Sequence, residues 1–339
     1  MSNIENLMKE INKNEVIATF GVPEKDIPRI PFSSPRANYM LYGGVPKHRV
    51  IEFAGPEGSG KTTSALDIVG NYQKLPDAKR VLYVDYECTF DPVWAGKMGV
   101  NVQDMVVLTP SYHSAEDIFD LIMRFAETNE VGLIVIDSIA SLVPKQIKGK
   151  EMEQQQYGGI SKSLARFVND FVPNLKKHDC TLIGINQVRD DMDSMFNNYK
   201  TPGGHAWAHA CSLRIMFSIG DLFDSNYNTV SRRADNPYGQ MVNMFLKKSK
   251  FCNSDRKNGF YTLTYQHGID GIYDTVDCAI KFGIIQARGA WFTIVDFNTG
   301  EVTDKKFQGK SSVINYYREH PEEYNELWEF VNSKVCEEE

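Results

Sequence analysis

From Arg49 onward the chain alternates short apolar runs with segments of helical spacing, and this alternation leaves few ways to fold. The runs are VIEFA, VLYVD, MVVL, LIVID and TLIGIN, and between them lie Thr62 to Lys74, Ser114 to Thr128 and Gly158 to Lys177. Such a repeat specifies an α/β fold, a mostly parallel central sheet with helices on both faces. Unbroken apolar stretches such as Leu133 to Ile136 fit strands buried on both sides. VLYVD is expected directly beside VIEFA. Strands at Leu213 to Ser218, Met241 to Lys247 and Gly259 to Tyr265 follow at shorter intervals and are expected antiparallel at one edge of the sheet.

Two smaller units flank this core. Ile4, Leu7, Met8 and Ile11 have helical spacing, but the stripe is short and is followed by the loop-rich PEKDIPRIPFSSP. It reads as a lid or as an arm that packs on a neighbouring subunit. After Gly268 come a helix (Tyr273 to Phe282), a hairpin (Ala290 to Phe297, turning at Asn298-Thr299-Gly300) and a last helix from about Ser312, a small α+β domain. The expected units are therefore 1–38, 39–268 and 269–339.

Chemistry is concentrated at the ends of the apolar runs. Gly55-Pro56-Glu57-Gly58-Ser59-Gly60-Lys61-Thr62 has the spacing of a phosphate-binding loop, and it follows a strand and opens a helix, the context such a loop requires. Its glycines let backbone N–H groups wrap phosphates, Lys61 neutralises the outer ones, and the Thr62 hydroxyl suits Mg²⁺. Asp137 closes LIVID where a carboxylate orients Mg²⁺ and its waters; on its own such an aspartate is more often a helix cap, and the phosphate-binding loop reverses that preference. Glu87, just past VLYVD, is placed to take a proton from an attacking water, although spacing alone also allows a cap or an ion-pair partner.

Net charge is −7, which at first argues against a nucleic-acid partner. The distribution reverses that inference. From Pro321 onward, Glu322, Glu323, Glu326, Glu329 and Glu337 to Glu339 face one base, Lys334, so nearly all of the net charge lies at this end. Basic clusters at Lys145/Lys148/Lys150, Arg232/Arg233 and Lys247/Lys248/Lys250 can make a positive groove on the near-neutral remainder, or serve simply as solvated faces. Cys88, Cys180, Cys211, Cys252, Cys278 and Cys336 contain no CxxC pair and are expected to be buried thiols in a reducing cytoplasm. No apolar run has the length of a membrane span, and the start lacks the order of a signal peptide.

GPEGSGKTT, VDYECTFDPVWAGKMGV, LIVIDSIASLVPK, LIGINQVR and TPGG stand in the order and spacing of bacterial RecA proteins, and from about Tyr39 to its C-terminus the chain resembles the RecA family of DNA recombinases. The resemblance implies ATP and Mg²⁺ as cofactors. It places Gly55 to Thr62 with Thr63 on the phosphates, Asp91 and Trp94 on the adenine, Glu87 as the catalytic carboxylate and Gln187 as the sensor of the γ-phosphate, while Trp94 replaces the family's tyrosine. Lys248 and Lys250 match the lysines that reach across to a neighbour's ATP; alone they read as a solvated strand end.

Two segments resemble the family's DNA-binding loops. Lys145 to Tyr157 leads into a helix on which Lys162 stands where the family has a phosphate-contacting arginine. Val188 to Gly204 carries Arg189, Met192, Met195 and Phe196 and closes at Gly203-Gly204, with Met192 suited to wedge between stacked bases. The implied activity is DNA-dependent ATP hydrolysis in a homo-oligomeric helical filament on single-stranded DNA, coupled to pairing with duplex DNA. A single-strand-binding protein or loader is a further implied partner, and no membrane is. Departures are Asp190, Asp191 and Asp193 in the second loop and His209 at a position usually aromatic. Divergence from cellular sequences and an abbreviated N-terminus suit a phage-encoded member acting in the host cytoplasm. Rival readings are a ring-forming regulatory ATPase without DNA and a hexameric helicase motor of the same fold.

Overall fold

The computed structural model describes residues 2–12, 27–110, 113–146, 159–190, 199–252, 255–296 and 299–337. The five apolar runs form parallel strands: β1 (Val50–Gly55), β2 (Arg80–Asp85), β3 (Met105–Leu108), β4 (Val131–Asp137) and β5 (Thr181–Gln187). β6 (Leu213–Phe223) also joins β1 in parallel, and β7 (Gly239–Ser249) and β8 (Asn258–Thr264) continue the sheet antiparallel. Along the sheet the order is 268–269, β8, β7, β6, β1, β5, β4, β2, β3, with 229–230 paired to β6.

This order corrects one expectation. β2 does not lie beside β1, because β5 and β4 occupy the two positions between them. Every residue of β4 is buried, and so are all of β5 up to Asn186, so these strands need cover on both faces and take central positions. β3, half exposed, takes the edge. β6, expected antiparallel, instead joins its core neighbour β1 in parallel, while β7 and β8 run antiparallel as expected.

The helices are α1 (Asn3–Asn12), α2 (Pro35–Met40), α3 (Lys61–Gln73), α4 (Pro92–Lys97), α5 (Ala115–Glu127), α6 (Gly159–Phe171), α7 (Asn174–Lys177), α8 (Gly204–Ala210), α9 (Gly271–Lys281), α10 (Lys310–Glu319) and α11 (Pro321–Cys336). Two single helices expected from the sequence are each divided. The stretch 158–177 breaks into α6 and α7 at Pro173, and the final helix breaks at His320-Pro321, since proline cannot donate the i→i−4 bond. α5 begins as its sequence dictates, with Ser114 and Asp117 in a reciprocal capping box. Ile4 and Leu7 of α1 are exposed.

Three apolar cores result. One lies between the sheet and α2–α4, a second beneath α5, α6 and α8, and a third within 276–335, where α9–α11 pack with the small antiparallel sheet β9 (Ile285–Arg288), β10 (Trp291–Val295) and β11 (Val302–Gln308). The expectation of uniformly buried thiols fails at Cys88, which is exposed on the turn after Glu87, while Cys180, Cys211 and Cys278 are buried. Among the described residues no helix is long and apolar enough to cross a membrane.

Ser33 ties these parts together. Its N–H and O–H donate to Asp67 of α3 at 2.9 and 2.5 Å, and its carbonyl accepts from the Trp328 indole of α11 at 2.9 Å. Asp67 is 2% exposed, and burial, only partly offset by Ser33, pushes its carboxyl from 3.8 up to about 6. Folding therefore takes up a proton here, so this group's stabilisation is full below the unfolded value and is lost as pH rises through the folded one. The unfolding free energy of the wild type, measured against Asp67→Asn in urea, is expected to fall by on the order of 3 kcal/mol between about pH 4 and pH 7. A pH-independent difference would contradict it.

Candidate active site

The site sits at the C-terminal ends of the parallel strands, where an α/β sheet leaves a crevice. Register places Gly55 level with Gln187 and Asp85 level with Asp137. β1 runs into the loop and α3 leaves it, with Gly58 and Gly60 at φ +70° and +89°. Those angles favour glycine. At Gly55 a Cβ would come within 2.5 Å of the Phe217 carbonyl oxygen, and at Gly60 within 2.8 Å of the Tyr261 hydroxyl, so the loop can lie this close only without side chains there.

Lys61 is 8% exposed, and its ammonium donates to the Pro56 carbonyl at 2.7 Å across the loop. Burial lowers its pKa, opposed by the negative charges of Asp137, Glu87 and Glu57. The Thr62 hydroxyl donates to Asp137 Oδ2 at 3.0 Å, and the Tyr83 hydroxyl donates to the same oxygen at 2.8 Å. Burial raises the Asp137 carboxyl, and Glu87 and Asp85 push it the same way against those two hydrogen bonds. Thr62 and Asp137 thus present hard oxygen donors in a locally negative site, which suits a hard divalent cation. Among the described residues no group of three His, Cys, Asp or Glu side chains could hold a metal unaided.

Glu87 arrives beside Asp137 because the amides of Tyr86 and Glu87 both donate to the Asp137 carbonyl, at 2.7 and 3.3 Å. Its Oε1 accepts from Ser138 Oγ (2.5 Å), Ser141 Oγ (3.0 Å) and Gln187 Nε2 (3.0 Å). The structure thus joins Glu87 to Gln187 although 100 residues separate them. Asp91 caps α4 by accepting from the Val93 and Trp94 amides, and the half-buried Trp94 points its indole N–H at Thr63 Oγ1, 3.3 Å away. Ser59 is buried and Glu57 exposed.

Lys248 and Lys250 are not part of this constellation. β7 runs antiparallel to β6, so Ser249 is level with Leu213 and thereby with Ile51, four strand positions below Gly55, or about 13 Å of sheet. Their ammonium groups instead donate to the last carbonyls of α8: Lys248 to Ala208 and His209 (2.6 and 3.1 Å), Lys250 to His209 (3.1 Å). A helix C-terminus favours cations.

Reading the sequence missed several partners. Tyr83, Ser138 and Ser141 stand inside or just after the strand motifs and were legible there as polar groups facing the site. Gln240, which donates to the Gly58 carbonyl at 3.0 Å and accepts from Tyr265 at 3.1 Å, is 182 residues from the loop and carries no local signal.

A family model described as the RecA N-terminal domain matches residues 1–270. Curated sequences named Protein RecA are similar along most of the chain. That of Thermus aquaticus is 32% identical over 337 residues, 98% of this chain and 92% of the relative. For Malacoplasma penetrans the identity is 32% over 299 residues, 88% and 85% of the two chains. For Clostridium perfringens strain 13 it is 33% over 281 residues, 82% and 74%. The chain belongs to the RecA family. It is accordingly a nucleotide-binding, DNA-dependent ATPase of homologous recombination and DNA repair.

Of the residues matched to the family's DNA loops, Lys162 is exposed near the start of α6, on the rim of a cleft of about 550 Å³ between α5 and α6 that also carries Glu116, Asp120, Arg166 and Asp170. Gly203 and Gly204 lead into α8 at φ +108° and +71°. The backbone at Arg189 and Asp190 pairs antiparallel with Lys200 and Tyr199. Tyr157, Asp191, Met192, Asp193, Met195 and Phe196 lie outside the described residues.

Lys61→Ala removes the buried ammonium from the loop. Affinity for a fluorescent ATP analogue is expected to fall by about 10- to 100-fold, the scale of a lost charge-assisted contact. Unchanged affinity would exclude Lys61 from phosphate binding.

Proposed function

We propose that the bound nucleotide is ATP with Mg²⁺, held at the junction between two copies of the chain in a helical filament on single-stranded DNA that pairs with duplex DNA. The observation that carries this reading is the separation of charges within one copy. Lys61, Thr62, Asp137, Glu87 and Gln187 share one end of the sheet, and Lys248 and Lys250 occupy the other. Two copies in head-to-tail contact bring both ends to one nucleotide, and such a heterologous contact propagates as a helix unless its rotation closes.

In this reading the loop amides and Lys61 hold the phosphates, with adenine against Trp94 and beside Asp91. Thr62 would hold Mg²⁺ directly and Asp137 through water, and the ion would neutralise phosphate charge. Glu87 takes the proton of the attacking water, its carboxylate oriented by Ser138, Ser141 and Gln187. Gln187 reports the γ-phosphate toward the second DNA segment, which follows it directly in the chain. The neighbour's Lys248 and Lys250 stabilise charge on the transferred phosphoryl group, as an arginine finger does. Lys162 and Arg189 meet DNA phosphates, and Tyr157, Met192, Met195 and Phe196 meet bases, with Gly203-Gly204 anchoring the loop.

Residues 1–38 serve as the polymerisation arm, 39–268 as the ATPase core and 269–339 as a C-terminal domain, the last supported by its separate apolar core. The chain acts in the cytoplasm, where a single-strand-binding protein or loader assists it.

Glu87→Gln alone is expected to slow hydrolysis about 100-fold while retaining ATP binding. Lys248→Ala/Lys250→Ala should bind ATP and lose DNA-stimulated turnover. Mixed in equal parts on single-stranded DNA, the two recover up to about a quarter of the wild-type rate, because one junction in four joins an intact Glu87 to intact lysines. Strictly additive rates in mixtures shown to co-assemble would contradict the reading.

A further inference from the structure

Three donors from three elements converge on the carboxylate of Glu52, fully buried in mid-strand on β1. Asn186 Nδ2 of β5 donates to Oε1 at 2.8 Å, the Trp207 indole of α8 donates to Oε1 at 2.9 Å, and Arg214 Nε of β6 donates to Oε2. A carboxylate in such a place is tolerated only when paired and hydrogen-bonded, so these contacts are structural necessities. Two of the donors also grip the segment leading into α8: Asn186 Nδ2 donates to the Pro202 carbonyl at 2.8 Å and Arg214 Nη2 to Thr201 Oγ1 at 2.9 Å.

The contacts continue to both ends of the sheet. Asn186 immediately precedes Gln187, which touches Glu87. Trp207 immediately precedes Ala208, whose carbonyl, with that of His209, accepts the ammonium groups of Lys248 and Lys250. The Trp207 ring lies flush on β5 because residue 184 is glycine; a Cβ there would sit 2.5 Å from Trp207 Cζ2. The buried Asn186 Oδ1 has no hydrogen-bond partner among the described residues. An orphaned buried acceptor costs about 1–3 kcal/mol, so the Asn186 amide is held for its two N–H groups at the expense of its oxygen.

We propose that Glu52 is a positioning residue: by fixing the Trp207 indole it sets α8 at the depth at which the last carbonyls of that helix hold Lys248 and Lys250 for the neighbouring copy's nucleotide, and by fixing Asn186 it joins that placement to Gln187. This rests on the reading of the two lysines as acting in trans.

Trp207→Phe keeps an aromatic ring in the core but removes the indole N–H together with the rest of the indole's second ring. Its DNA-stimulated kcat is expected to fall about tenfold, the scale of one hydrogen bond to a charged group, while affinity for a fluorescent ATP analogue stays within about twofold of wild type. In co-assembled mixtures Trp207→Phe should restore turnover with Glu87→Gln, which supplies well-placed lysines, and fail to restore it with Lys248→Ala/Lys250→Ala. Glu52→Gln is the second variant and should fall in the same complementation group. An unchanged kcat, an equal loss of nucleotide affinity, or rescue by both partners overturns the proposal. If Glu87→Gln and the lysine variant do not complement each other, the trans reading itself falls and the proposal with it; if they do, and Trp207→Phe also complements the lysine variant, only the proposal falls.

Discussion

The parallel pairing of β1 with β5, which sets Gly55 level with Gln187, is the constraint on which the site depends. It requires β5 to be buried on both faces, and its run of apolar residues up to Ile185 permits that. β4 then pairs with β5 and β2 with β4, and each brings one acid to the same edge. A shift of one residue in any of these registers would turn Asp137 or Gln187 to the opposite face and disperse the cluster.

Charge then explains what such a cluster needs. Asp137, Glu87 and Glu57 act on one buried ammonium, Lys61, whose own positive form is disfavoured by burial. Once a nucleotide's phosphates enter, one lysine cannot balance them, and in the proposed reading Mg²⁺ and the neighbour's lysines supply further positive charge. Lys248 and Lys250 are cations of the right kind at the wrong end of the same subunit. The carbonyls of α8 keep them ordered there, and the buried Glu52 assembly ties that helix to the strand behind Gln187.

Much of this was legible in the residues. Strand and helix placement follows from apolar periodicity, and the loop from Gly55 to Thr62 declares its geometry through its glycines. Glu87 and Asp137 were each found at the end of an apolar run, where an α/β sheet collects its chemistry, whereas Gln187 came from the family resemblance alone. The position of β2 was not legible, because local pattern says that a strand is parallel and not which neighbour it takes; that choice was made by β4 and β5 competing for the centre. Pro173 and Pro321 carried their breaks in plain view, yet the apolar spacing on either side masked them. Gln240 and Glu52 were invisible for another reason: a polar residue inside a strand gains meaning only from partners that arrive from 130 or more residues away.

The central claim is that the charged groups around one nucleotide come from two copies, Lys61 and Glu87 from one and Lys248 and Lys250 from the next. Cryo-electron microscopy of the protein on single-stranded DNA with a slowly hydrolysed ATP analogue tests it directly. The account predicts helical filaments with one nucleotide at each junction, Lys61 and Glu87 of one copy on one side of the γ-phosphate and Lys248 and Lys250 of the next on the other. Closed rings or free monomers, or filaments in which those two lysines lie away from the neighbour's phosphates, would contradict it.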